Sequence, residues 1–310
     1  MTSPTDPGFL VAFTSDVVSR PVSASLRDAR AELLAAVADL RTIPDETLTR
    51  EWAWTGGGED ELRYGFYRIG EAFELAGIDA AAALRTARVD RGRAADLIAP
   101  ATAARWDLRG LLLPLADPTW DADPGGGEWT IRQTMGHVVG GQRSYGVGTA
   151  WWQAQGLSAD SPDLPRAPES IFDALPSDEV EAEGSPAEVL ERLDGVLDAS
   201  MERLAGLPAD RLAFGARWSG FPLTVGFRLT RWGSHLREHT IQVEKTLDML
   251  GYRPTEVYRL ARLVLAAWGR AEETVFGVPA ADAGKAIGAL TGAVAEARAV
   301  AREVAALARG

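Results

Sequence analysis

The chain has 310 residues, of which 46% are apolar and 25% are charged, a composition typical of a globular protein with a hydrophobic core. Its formal net charge of −12 disfavours nucleic acid as the main partner, because phosphate backbones are bound by clustered lysines and arginines. No apolar run is long enough to span a membrane, and the opening Met1-Thr-Ser-Pro segment lacks the basic and apolar regions of a secretory signal. We therefore expect a cytoplasmic protein that does not bind membranes.

Cysteine is absent, which excludes disulfides, thiolate metal ligands and a cysteine nucleophile. A metal bound by this chain must therefore use His, Asp or Glu, and any thiol chemistry must use a thiol from a small molecule. Lys245 and Lys285 are the only lysines, so nearly all basic residues are arginines. This bias, together with the many alanines, indicates a GC-rich coding genome.

The first hundred residues are predicted to be helical. Residues 23–42 place apolar side chains at helical spacing, with Ser23 or Ser25 as the N-cap. The helix is followed by a break at Pro44 and by the triplet Gly56-Gly57-Gly58. Two further helical segments follow, at about 59–75 and 78–97.

The pattern around the glycine triplet occurs a second time. Gly125-Gly126-Gly127 is again followed by an acidic residue and a helix, and aligning the two triplets pairs Arg68 with His137. One hypothesis is that residues 1–99 contain a degenerate copy that has lost its histidine and has a structural role. The alternative is that the similarity is accidental.

The rest of the chain is also predicted to form helices joined by loops, which makes the fold class all-α. Long helices are expected at about 130–154 and 224–250, the second ending at Gly251, and Ser185-Pro186 begins a helix that runs to Leu204. No alternation of apolar and polar residues is long enough to require a sheet. Further helices are expected at 101–113, 254–275 and 280–308, a loop with one helical turn at 156–185, and a covering loop or hairpin at 211–222.

The chain contains three histidines, His137, His235 and His239. His235 and His239 are four residues apart in one predicted helix, so both imidazoles lie on the same face, one turn apart. Three neutral imidazoles leave a fourth coordination position open, which is typical of a catalytic zinc site. The same donors also suit nickel, cobalt or iron. On spacing alone, unrelated core or surface histidines remain the alternative.

Two motifs resemble the DinB/YfiT-like superfamily of helical metalloenzymes. They are Glu128-Trp-Thr-Ile-Arg-Gln-Thr-Met-Gly-His137 and His235-Leu-Arg-Glu-His-Thr-Ile-Gln-Val243. In that family a Trp-Thr/Ser-x-Arg stretch begins the second bundle helix and leads to the first metal histidine, and a later His-x-x-x-His pair supplies the other two. The resemblance covers residues 100–252. It implies a four-helix bundle in which the three histidines bind one divalent transition metal, with zinc or nickel favoured.

The resemblance also implies an activity. Its best-defined members are S-transferases that use bacillithiol or mycothiol, and a mycothiol-dependent maleylpyruvate isomerase. We therefore expect a metal-dependent thiol S-transferase or isomerase that acts on a small-molecule thiol and an electrophilic substrate, and the GC-rich signature favours mycothiol. Arg228, Arg231 and Gln242 lie within two turns of the histidine pair and are candidate contacts for the thiol or the substrate. Pairing with acidic neighbours is their alternative role.

Other functions remain open. His235-Leu-Arg-Glu-His239 also matches the inverted zinc-protease motif, with Glu238 as general base and Glu272 or Glu273 as third ligand, although His137 then has no role. A hydrolase that uses metal-bound hydroxide and a non-enzymatic metal-binding stress protein are alternatives on the DinB scaffold.

The sequence predicts three consecutive segments. Residues 1–99 form a helical region, residues 100–252 the DinB-like metal-binding bundle, and residues 253–310 a C-terminal helical extension. Small members of the family often pair through bundle faces that the additional helices could cover, so both a monomer and a homodimer are compatible with the sequence.

Overall fold

The structure is a computed structural model that describes residues 20–54, 58–279 and 281–310. The Met1-Thr-Ser-Pro segment and two glycines of the first triplet, Gly56 and Gly57, lie outside the described residues. Within the described ranges the chain is mostly helical, which confirms the predicted class, and it adds two small antiparallel hairpins. No helix in those ranges is both long and apolar enough to cross a membrane.

The helices and strands are numbered in chain order. They are α1 Ala24–Leu40, β1 Glu51–Trp54, β2 Gly58–Glu61, α2 Arg63–Thr86, α3 Arg93–Ile98, α4 Pro100–Leu112, α5 Asp117–Asp121, α6 Ile131–Gln155, α7 Asp178–Glu181, α8 Pro186–Leu204, β3 Gly215–Trp218, β4 Phe221–Thr224, α9 Val225–Leu229, α10 Arg231–Met249, α11 Glu256–Val275 and α12 Gly284–Arg309.

Capping residues fix the ends of the main helices. Ser23 caps α1 by accepting a hydrogen bond from the Leu26 amide, which satisfies one of the free amides of the first turn. Thr130 and Ser185 each form a capping box at the start of α6 and α8. Gly251, with φ of 69°, follows α10 in the left-handed conformation. These ends agree with the sequence prediction.

Three elements differ from the prediction. The first hairpin replaces the start of the helix predicted at 59–75, and Trp52 on β1 is fully buried. The helices predicted at 59–75 and 78–97 are instead one long α2 followed by the short α3. Gly77 continues α2 because its missing Cβ allows close contact with the backbone of Ala271. The helix predicted at 224–250 divides at Thr230 into α9 and α10.

The chain folds into two compact units. One contains residues 22–90, 102–114 and 253–310, and the other contains residues 91–101 and 115–252. Residues 253–310 share a hydrophobic core with residues 22–90, because α2 packs against both α11 and α12. Each unit therefore combines distant segments of the chain. The domain boundaries at 99 and 252 stay predictions. So does the origin of residues 1–99 by duplication.

A buried carboxylate organises the first of these units. Glu272 on α11 is 1% exposed, and its Oε1 accepts hydrogen bonds from Arg30 Nε and Arg105 Nη2, both at 3.0 Å. Its Oε2 accepts from the indole nitrogens of Trp106 at 2.8 Å and Trp268 at 2.7 Å. A carboxylate can be buried when its oxygens are satisfied in this way. These contacts engage both oxygens of Glu272 and disfavour its role as a metal ligand.

We expect Glu272→Gln to destabilise the protein, because Arg30 and Arg105 lose their shared carboxylate in the interior. The expected loss is about 3 kcal/mol in the free energy of unfolding, measured by urea denaturation. The matched control is Glu74→Gln, which removes a solvent-exposed ion pair with Arg270 and should change stability by about 0.5 kcal/mol or less. Equal effects of the two substitutions would contradict the structural role of Glu272.

Candidate metal centre

The second unit brings the three histidines together. His137 lies on α6, and His235 and His239 lie on α10, which packs against α6. One nitrogen from each ring lies within 4.8 Å of the other two. The Nε2 atoms of His235 and His239 are 3.0 Å apart. The three imidazoles therefore form a cluster that could hold one metal ion, as their spacing predicted.

Hydrogen bonds to the Nδ1 atoms orient two of the rings. His137 Nδ1 is 3.0 Å from Asp178 Oδ2, and His239 Nδ1 is 2.7 Å from Gln242 Oε1. A carboxylate and an amide oxygen can only accept, so each Nδ1 carries the proton and donates it. Each Nε2 then presents a lone pair to the cluster. This is the arrangement that oriented metal-binding histidines adopt in proteins.

His235 has a different neighbour, the Gln142 side chain. Gln142 Nε2 lies 3.4 Å from His235 Nδ1 and 3.3 Å from the carbonyl oxygen of Trp232, whereas the buried Gln142 Oε1 has no hydrogen-bond partner within the described chain. Rotating the amide would let Oε1 accept a hydrogen bond from His235 Nδ1–H, with loss of the bond to Trp232. His235 Nε2 would then also present a lone pair. The unsatisfied Gln142 Oε1 is thus compatible with a His235 tautomer that carries its proton on Nδ1, which is the tautomer that binds a metal through Nε2.

Burial keeps the histidine pair uncharged. Desolvation, followed by repulsion from His239 and His137, lowers the pKa of His235 to about 2. Burial is also the largest cause that lowers the pKa of His239. Both rings are therefore neutral at pH 7 and need no deprotonation before binding a cation. His137 is more exposed, so the cluster opens towards solvent on the α6 side.

Glycines on α6 make the close packing of the site possible. A Cβ at Gly136 would lie 2.2 Å from the backbone oxygen of Asp178, and one at Gly140 would lie 2.4 Å from Asp178 Oδ1. A Cβ at Gly141 would lie 2.7 Å from Cε1 of His235. The first two glycines therefore admit α7, whose Asp178 reaches His137, and the third admits the His235 ring.

A buried ion-pair network holds α7 in this position. Glu181, the last residue of α7, is 1% exposed and pairs with Arg143 on α6 and with Arg192 on α8. Arg132 Nη1 donates to the carbonyl oxygens of Ala182 at 2.9 Å and Gly184 at 2.8 Å, just after α7. Asp178 is therefore presented by a fixed element. The sequence prediction assigned this stretch to a loop and missed both α7 and Asp178.

Aromatic rings surround the cluster. The Trp129 ring centroid lies 5.2 Å from that of His137, and the Tyr145 centroid lies 5.1 Å from that of His235. Trp129 is 41% exposed, so its ring is available to a ligand that approaches His137. Sequence reasoning missed Tyr145, although its position two turns after His137 on the same helix places it on the same face.

The three candidate contact residues occupy different environments. Gln242 orients His239, and Arg231 binds both oxygens of Glu238, at 2.7 and 2.9 Å. This ion pair raises the pKa of Arg231. Arg228 is buried, and its Nε donates to Thr149 Oγ1 at 3.0 Å. Their predicted contacts with a thiol or substrate stay predictions.

The same contacts bear on the inverted-protease alternative. Glu238, its proposed general base, is held by Arg231. Among the residues that the structure describes, the group of potential ligands around the histidine pair contains His137 and no acidic residue. The geometry therefore favours a three-histidine site.

The fold and the site define a mostly helical protein with a candidate three-histidine metal centre. A family model for the DinB superfamily matches residues 100–243. The chain therefore contains a DinB superfamily domain, and this domain carries all three histidines. Comparisons with curated proteins and with solved structures give no match.

We expect Gly140→Ala to weaken metal binding by displacing the Asp178 carboxylate from His137. Loss of such an orienting partner lowers metal affinity by roughly 10- to 100-fold, which competition with a chelator would measure. Gly195→Ala on α8 is the matched control, because no atom lies within 4 Å of its added Cβ. If both variants bound the metal like the unsubstituted protein, Asp178 would have no role at the site.

We also expect the metal-free protein to lose stability on mild acidification. The pKa of His235 is about 2 in the folded state and about 6.5 in the unfolded state. Its contribution is therefore complete above pH 6.5 and lost as the pH falls below that value, by about 2 kcal/mol between pH 7 and pH 5. Urea denaturation at several pH values would measure this. His235→Gln/His239→Gln should flatten the profile, and an unchanged slope would rule out the histidines as its cause.

Proposed function

We propose that this protein is a metal-dependent enzyme that activates a low-molecular-weight thiol, with mycothiol as the favoured candidate, for transfer to an electrophilic substrate. The observation that carries the proposal is the convergence of His137, His235 and His239, whose ligand nitrogens lie within 4.8 Å of one another. The absence of cysteine supports a thiol that comes from outside the protein. The DinB domain supports the same class of chemistry.

The donor set suits a catalytic ion. Three imidazole ligands leave one position open, and a divalent ion bound there would lower the pKa of a thiol or a water molecule that occupies it. Zinc and nickel are the favoured ions, because both accept imidazole nitrogen.

The chain's own residues prepare the site for that ion. His235 and His239 are held neutral by burial, while Asp178 and Gln242 accept hydrogen bonds from the outer nitrogens of His137 and His239. Because these partners are held on helices, the rings lose little freedom on binding. The rings of Trp129 and Tyr145 beside the cluster would exclude water from a reacting thiol.

Metal binding has a direct test. Elemental analysis of the protein, purified without a histidine tag, should show about one transition-metal ion per chain. The variant His235→Ala/His239→Ala should contain none, whereas Arg237→Met, which alters an exposed residue of the same helix, should keep full occupancy. Equal metal content in all three proteins would show that the site is misassigned.

Thiol dependence is tested separately with the metal-loaded protein. We expect conjugation of monochlorobimane to require mycothiol and to cease after chelation, with activity restored when metal is added back. Bacillithiol is tested in parallel, and a reaction without either thiol serves as the blank. Ester or amide hydrolysis without thiol would favour a hydrolase, and bound metal with neither activity would favour a non-enzymatic metal-binding protein; both results would refute the thiol proposal.

A further inference from the structure

Arg228 is a buried cation without a carboxylate partner. Its side chain lies on α9 and is 5% exposed, and no acidic residue of the described chain forms an ion pair with it. Burial lowers the pKa of Arg228 to about 10, so the guanidinium stays charged at neutral pH. A charge in this position is costly unless a counter-charge accompanies it.

The hydrogen bonds of Arg228 leave one edge of the guanidinium unused. Nε donates to Thr149 Oγ1 at 3.0 Å, and Nη1 donates to the carbonyl oxygen of Arg217 at 3.1 Å. These bonds use two of the five N–H groups. Nη2 forms no hydrogen bond within the described part of the chain, since Nε and Nη1 make both of the hydrogen bonds of Arg228 there. An arginine fork can bind a planar anion through two parallel bonds.

The neighbouring Arg231, unlike Arg228, has a carboxylate partner. Arg231 follows Arg228 by three residues, but both of its Nη atoms donate to Glu238. That pair is electrically neutral, whereas Arg228 forms no ion pair with an acidic residue of the described chain.

Aromatic side chains connect the Arg228 guanidinium to the histidine cluster. The guanidinium carbon lies 4.7 Å from the ring centroid of Trp152 and 5.4 Å from that of Tyr145. The Tyr145 ring also lies 5.1 Å from the ring of His235, so a single side chain contacts both groups. Arg228 and His235 are therefore separated by one aromatic ring.

Gly148 lets the Arg228 guanidinium pack closely against α6. A Cβ at this position would lie 3.0 Å from Arg228 Nη2 and 3.2 Å from the Trp152 ring. Any larger residue would press on the nitrogen that lacks an acceptor. The glycine, the aromatic rings and the unpaired charge are together consistent with a small anion-binding site.

We propose that Arg228 binds a carboxylate of the substrate, through the Nη1 and Nη2 edge, beside the three-histidine site. The assignment of this anion to a substrate rests on the proposed function; the anion site itself does not. The planar carboxylate matches the fork geometry and supplies the negative charge that Arg228 lacks.

Arg228 also joins α9 to Thr149 on α6 and to Arg217 on β3, so a purely structural role has to be separated from recognition. Benzoate is the probe, with benzamide as its uncharged analogue and phenyl phosphate as the dianion. Binding is followed by tryptophan fluorescence, since Trp152 lies beside Arg228, in both cobalt-loaded and metal-free protein. The visible absorption of cobalt reports any anion that binds at the metal instead.

We expect benzoate to bind saturably to both forms of the protein, phenyl phosphate to bind more weakly and benzamide not to bind. Arg228→Met should weaken benzoate binding by about tenfold or more, since a charge-assisted bond is lost, while Arg237→Met leaves it unchanged. Arg228→Lys, which keeps the charge but not the fork, should have an intermediate effect. Gly148→Ala, which crowds Nη2, should weaken binding severalfold if Arg228→Met fails to fold.

Several results would overturn the proposal. The first is an equal affinity for benzoate in the unsubstituted protein and in the variants Arg228→Lys and Gly148→Ala. The second is tighter binding of phenyl phosphate than of benzoate, and the third is the absence of saturable benzoate binding. A benzoate-dependent change in cobalt absorption that persists in Arg228→Met would place the anion on the metal and also overturn it. If the protein took up no cobalt but still bound benzoate in an Arg228-dependent way, the proposed function would be refuted and the anion site retained.

Discussion

The close contact between α7 and the glycine face of α6 sets the geometry of the histidine cluster. Gly136 and Gly140 leave no side chain between the helices, so the carboxylate of Asp178 comes within 3.0 Å of His137 Nδ1. Glu181 fixes the other end of α7 through its buried pairs with Arg143 and Arg192. Backbone packing and charge pairing therefore act on the same short helix, and together they determine which nitrogen of His137 faces the site.

Desolvation is the second constraint on the site. The packing that admits the His235 ring against Gly141 also removes it from water, which lowers its pKa to about 2. Neutral imidazoles are the form that binds a metal, so the fold prepares the ligands through burial. The same burial makes the metal-free protein sensitive to acid, because His235 binds a proton in the unfolded chain at pH values where it stays neutral in the folded chain. Ligand preparation and acid sensitivity have one physical origin.

Much of the helical structure and the histidine cluster could be predicted from the sequence. Periodicity and caps located α6, α8 and α10 to within a residue or two at most ends, and the spacing of His235 and His239 placed both on one helix face. The first hairpin and α7 were missed because each is too short for a hydrophobic period to be detectable, whereas the second hairpin falls where the sequence predicts a covering loop or hairpin. Gly77 was not recognised as part of a continuous helix, since its role depends on Ala271, which is distant in sequence.

Long-range pairing also explains why the charged residues were only partly predicted. Sequence alone allowed Arg228, Arg231 and Gln242 either ligand contacts or acidic partners, and the structure separates them: Arg231 has Glu238, and Gln242 has His239. Burial and the absence of a carboxylate partner, which distinguish Arg228, are properties of the folded chain.

The buried charges of the chain show why Arg228 stands apart. Glu272 receives hydrogen bonds from two arginines and two indoles, and Glu181 is paired with two arginines. In both cases the fold supplies the opposite charge that burial demands. Arg228 is also buried, yet within the described chain it has a hydroxyl, a carbonyl and aromatic rings as its neighbours. The fold neutralises the carboxylates of Glu272 and Glu181 with its own arginines. The charge of Arg228 is left to be neutralised by a molecule that binds beside the histidines.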